Sequence, residues 1–214
     1  MRWQPPNMKK YLQESASLYL FVSVLFLMGV VFGAMLVNAL SLEQQQDLSR
    51  ALGQFFQSLD RPEDPDASRA ASFAGTFWSL LKWIILIWAL GLSVIGLPFV
   101  LIVNFIKGVL IGFSVGYLVG KYSWKGLLFA LTAVVPQNLL AVPALLVTSA
   151  AAISFSLFLI RHHFFRHRGS VSRQFAGFNA VVIVMAVVMA AVSAMETFVT
   201  PELLRWIAPR LVGA

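Results

Sequence analysis

Three histidines, His162, His163 and His167, are the side chains most suggestive of a metal centre, because residues 163 and 167 are four apart and would share one face of a helix. No carboxylate accompanies them, and Arg161, Arg166 and Arg168 surround them with positive charge that repels a cation. The run His162-His163-Phe164-Phe165-Arg166-His167 also lacks the glutamate that acts as general base in HExxH sites, so a basic loop is expected there instead of a metal. Cysteine is absent, which removes thiol nucleophiles, thiolate ligands and disulfides. No aspartate lies within a long apolar run, and the serines in those runs have no histidine at the same depth. Neither a Walker lysine loop nor a dinucleotide fingerprint occurs. The chain is therefore expected to be non-enzymatic, with no cofactor and no metal.

Five other polar residues stand near or inside apolar runs. Asn104 and Lys107 fall where two runs meet, which predicts a polar inner turn with a snorkelling lysine. A buried role for Lys107 lacks an evident acidic mate. Glu196 sits in the last turn of the final run, where pairing with Lys121, Lys125 or Arg205 would account for it structurally. Gln137 and Asn138 follow Pro136 inside an apolar stretch, with Pro143 two turns on. Broken helices at membrane depth expose backbone dipoles and often form binding sites, so this segment is the candidate conduit. The alternative is that the two amides satisfy carbonyls that proline leaves without a donor.

These residues depend on elements set by composition. Of 214 residues, 59% are hydrophobic and 12% charged, and mean hydropathy is +0.80. A soluble domain carries about 25% charged residues, so this surface belongs largely to lipid. A hydrocarbon layer needs about 20 apolar residues per helix. Spans are expected at about 18–40, 77–101, 105–120, 139–160 and 175–199, with a half-helix at 126–135. The first is too long for a signal-peptide core of about 7–15 residues and reads as an uncleaved anchor. Trp78 and Trp83 would lie at an interface, and Gly96-Leu97-Pro98 would loosen the far end of the second span. The uncharged stretch 126–160 would be about 52 Å long as one helix, too long for one span, and Pro136 divides it. The fold class is all-α: one integral-membrane domain, 1–214, of five transmembrane helices.

With the N-terminus cytoplasmic, Arg2, Lys9, Lys10, Lys107 and the Arg161–Arg173 loop lie inside, opposed there only by Glu14. The outer segments carry basic and acidic residues in equal number. This favours N-terminus in and C-terminus out, and it assigns the high pI of about 10.2 to orientation and contact with membrane lipids, not nucleic acid. The loop 41–76 then lies outside. Ser41 and Gln44 have capping-box spacing, and Leu48, Leu52, Phe55 and Leu59, with Phe56 alongside, give one apolar stripe to a helix over 42–59. That helix either rests on the membrane or bundle, or forms a docking surface for an extracytoplasmic partner.

Gly108, Gly112, Gly116 and Gly120 recur every fourth residue, and Gly29 and Gly33 repeat the spacing in the first span. Lipid gives helices no hydrophobic reason to associate, so bare backbone permitting close approach is a packing signal. The seam serves either this chain or a homo-oligomer. Ala186, Ala190 and Ala194 form a milder version.

Taken together, Asn104-Phe105-Ile106-Lys107-Gly108 leading into the glycine-spaced helix, and Pro136-Gln137-Asn138-Leu139-Leu140-Ala141-Val142-Pro143-Ala144, resemble the stage II sporulation protein M family over nearly the whole chain. In the wider superfamily this second segment commonly reads Pro-His-Gly, with a Glu before the second Pro. Gln137, Asn138 and Ala141 stand there instead, so no ionisable site is carried over. The resemblance implies a membrane scaffold of forespore engulfment, acting in the mother-cell membrane. Its implied partners are two peptidoglycan-degrading enzymes, sporulation proteins D and P, held outside the membrane. The alternative is a small-solute transporter or channel using the break at Pro136–Asn138.

Overall fold

The computed structural model describes residues 8–59, 65–93, 95–165 and 171–198. Every element among them is helical: α1 (Met8–Leu36), a 3₁₀ turn (Val37–Ala39), α2 (Leu42–Leu59), α3 (Pro65–Gly91), α4 (Gly96–Ala133), α5 (Val135–Phe165) and α6 (Val171–Phe198). Five of these are long and apolar enough to cross a membrane, at 16–39, 73–91, 96–132, 135–160 and 174–198. The chain is a polytopic helical bundle.

The boundary between the second and third spans falls earlier than hydropathy places it. α3 ends at Gly91 and α4 begins at Gly96. The turn between them hides in the apolar run because it is built from backbone bonds and one serine instead of charges. Ser93 N–H donates to Leu90 at 3.0 Å, Gly96 N–H to Ser93 at 3.1 Å, and Ser156 Oγ on α5 closes the turn on the Ser93 carbonyl at 3.0 Å. A side chain at residue 96 would run into the Leu90 carbonyl, so glycine is required. Pro98 therefore opens a helix, where a missing N–H is harmless, instead of bending the end of one. Asn104 and Lys107 in consequence belong to the body of α4 and not to an inner turn.

α4 is two arms. Ser123 breaks it with φ 50° and ψ −127°, after which the second arm folds back: Phe129 and Ala130 pack on Leu118, and Gly126 lies against the Leu118 carbonyl. This second arm feeds into α5 through Val134, whose N–H still donates to Ala130 at 2.8 Å and whose carbonyl accepts from Asn138 N–H at 3.3 Å. The Pro136 break is thus a kink in one long antiparallel hairpin, not an unwound gap. Proline in the first turn of α5 and again at Pro143 removes donors without ending the helix.

α5 is the central helix, with half of its span buried against roughly a fifth of each other span. Val22, Ile84, Ile87, Val100, Leu145, Ile153, Phe155, Phe178, Met189 and Val192 form the main core. α1 and α4 run parallel, α3 and α5 run against α4, and α6 runs against α3, since Trp88 meets Asn179 while Phe73 meets Ser193. α1 therefore enters and α6 leaves on opposite faces.

Candidate functional site

The glycine seam closes within the chain. A methyl group at Gly29 or Gly33 would overlap the carbonyls of Phe105 and Val109, and one at Gly108 or Gly112 would overlap those of Phe26 and Val30. Gly116 rides over Ala34, while Gly120 has only ordinary contact with Val37 at 3.9 Å. The α1–α4 pair is accordingly the most extensive contact in the bundle.

Beside this seam, α3, α4, α5 and α6 leave a polar chamber. α4 supplies Lys107 and Ser114, α5 supplies Gln137 and Asn138, α3 supplies Thr76, Ser79 and Trp83, and α6 supplies Glu196. It comprises two adjoining cavities of about 260 and 250 Å³ that share Leu80, Trp83, Lys107 and Gln137. The Lys107 ammonium stands 4.5 Å from the centre of the Trp83 ring, a favourable cation–π placement. Trp83 therefore faces the interior of the bundle. Lys82, one residue earlier, points outward within the same span and lies 5.9 Å from the Trp78 ring.

Glu196 and Lys107 face one cavity from opposite sides and act on each other electrostatically, so the lysine has an acidic counterpart after all. Sequence spacing could not find it, because the pair is 89 positions apart and Lys107 reads as a loop residue. The expected pairing of Glu196 with Lys121 is replaced: Lys121 bonds Ser49 and lies 5.6 Å from the Tyr122 ring. Arg205 lies outside the described residues. Among the described residues the ion pair within 4 Å is Arg50–Asp47, at 3.4 Å on the exposed face of α2. Lys107 and Glu196 do not touch, and Glu196 Oε2 is buried with no hydrogen-bond partner.

One turn below Lys107, fully buried Asn104 donates from Nδ2 to Ser149 Oγ at 2.7 Å and to the Val100 carbonyl at 2.8 Å, pinning α4 to α5. Asn138 spends a side-chain donor on the Val134 carbonyl at 2.7 Å, at the kink itself. Gln137 lines both cavities.

At one end of the bundle α2 begins with the capping box its spacing predicts: Ser41 N–H donates to Gln44 Oε1 at 3.0 Å, and Gln44 N–H to Ser41 Oγ at 3.3 Å. Tyr117 Oη donates to the Gln45 carbonyl at 3.1 Å and meets Ser49 Oγ at 3.1 Å, tying α2 to the end of the first arm of α4. Leu48 is half-buried; the side chains of Leu52, Phe55, Phe56 and Leu59 lie outside the described residues, as do those of the three histidines. Among the described residues no group of His, Cys, Asp and Glu is gathered to hold a metal.

Residues 22–201 match the family model described as Stage II sporulation protein M. No curated protein and no solved structure matches the chain.

Proposed function

This chain belongs to the stage II sporulation protein M family, a sporulation-related membrane family, and from that membership we propose that it is a non-enzymatic scaffold holding peptidoglycan-degrading enzymes during forespore engulfment. The observation that supports this beyond the family match is α2. It is the helix that stands outside the five spans among the described residues, it is capped at its start, and two α4 side chains fix its position. A helix held this way at a bundle end offers a pre-ordered surface, so a partner binds without first having to order it. Glu43, Asp47 and Arg50 give it a charged face toward water. The partners proposed are sporulation proteins D and P, met on the outer side of the mother-cell engulfing membrane.

A second reading, a small-solute transporter or channel, is favoured by one observation: Gln137 and Asn138, at the Pro136 kink, line an internal cavity.

The test is affinity co-purification from membranes of sporulating cells. Removing residues 42–59 with insertion preserved is expected to abolish recovery of both hydrolases. Unchanged recovery, together with solute flux into vesicles that Gln137→Leu removes, would move the assignment to the second reading.

A further inference from the structure

The chamber holds two opposite charges that are close enough to act on each other and too far apart to pair. Lys107 projects from α4 and Glu196 from α6, helices that barely meet, and the smaller cavity fills the gap between them. A buried carboxylate oxygen with no donor is costly, and so is an ammonium withdrawn from water with only an aromatic face beside it. A single cation would satisfy Glu196 and be repelled by Lys107; a single anion would do the reverse. A guest that carries both charges answers both walls.

We propose that this chamber is a binding site for a small zwitterion, a molecule with an ammonium and an acid group a few bonds apart, of about the size of a free amino acid. Its acid group meets the Lys107 ammonium and the Gln137 amide. Its ammonium meets the Glu196 carboxylate, with the hydroxyls of Thr76 and Ser79, which line the same cavity, as further acceptors. Leu80 and the Trp83 ring cover the short carbon chain between them. Size sets the limit: drug-sized ligands occupy pockets of about 300–1,000 Å³, whereas these cavities are about 250–260 Å³ each. Occupancy requires neither passage across the membrane nor recruitment through α2, so it goes beyond both functional readings. A phosphatidylethanolamine headgroup carries the same pair of charges and is the alternative source of this chemistry.

The experiment uses the full chain in phosphatidylglycerol nanodiscs, with calorimetric titration and thermal denaturation against glycine, acetate and methylamine. Glycine is expected to bind and to raise Tm by several degrees at saturation, while acetate and methylamine do neither. Lys107→Met and Glu196→Gln should each weaken glycine roughly tenfold or more, the loss of one charge-assisted contact. Should a single variant fold poorly, the double exchange Lys107→Glu with Glu196→Lys keeps both charges on the chamber walls and should bind glycine again. If phosphatidylethanolamine in place of phosphatidylglycerol raises Tm in the parent chain but not in the single variants, and glycine then adds nothing, the guest is the lipid headgroup. No shift from either source, equal shifts with acetate or methylamine, or a shift that survives in both single variants overturns the proposal.

Discussion

Ser123 turns the α4–α5 hairpin at φ 50° and ψ −127°, a conformation that glycine enters freely and a residue with a Cβ enters at a cost of order 1–3 kcal/mol. The side chain is exposed, so nothing is lost by removing it. Ser123→Gly is therefore expected to stabilise the bundle by about 1 kcal/mol, less than the full strain because glycine also frees the unfolded chain; the measure is a thermal melt in detergent, and a lowered Tm would show that the turn is unstrained. The residues that matter most to the chamber were visible in the sequence as types and not as partners. Lys107, Glu196, Asn104 and Gln137 are conspicuous in an apolar chain, but the joining of α4 to α6 around a cavity is a tertiary fact with no local signal. Polarity is the usual mark of a loop, so the sequence around Asn104 and Lys107 has the look of a turn. In this bundle, the Ser149 bond and the Trp83 ring supply what water would have supplied.

At the level of elements, glycine spacing was the best guide. Four glycines every fourth residue can only make a groove, and Gly29 with Gly33 made α1 the natural occupant. The seam also grades its own members, which gives a paired prediction. Gly112→Ala places a methyl against the Val30 carbonyl and is expected to cost about 1–3 kcal/mol, the range for overpacking. Gly120→Ala meets Val37 at 3.9 Å and should be neutral or gain about 0.5–1 kcal/mol from helix propensity. Thermal melts of the two variants check this, and equal effects would mean that α1 and α4 do not interlock as described. Hydropathy was a poorer guide where turns are apolar. The turn at 92–95 is drawn from backbone bonds and Ser93, so a window average runs through it. Pro136 looked like a terminator, yet its neighbours Val134 and Asn138 keep the helix bonded across it.

For the whole molecule, five spans of alternating direction put the start of α1 and the end of α6 on opposite faces, and α2 lies on the face opposite the turn at 92–95. The fold class and the helix over 42–59 were legible because composition, span length and a capping box are local quantities. Which face meets the cytoplasm rests on charge. Lys107 no longer counts toward the inner side and Lys82 no longer counts toward the outer side, leaving the N-terminal residues and the Arg161–Arg173 loop to set it. A scaffold for wall enzymes requires α2 on the outer face. The chain contains no cysteine, so a single introduced thiol reports its own position. Leu42→Cys, at a position 79% exposed at the start of α2, should be blocked by a membrane-impermeant maleimide in intact cells. Ile95→Cys, at a position 69% exposed in the opposite turn, should react only after permeabilisation. The reverse pattern would place α2 in the cytoplasm and contradict the account.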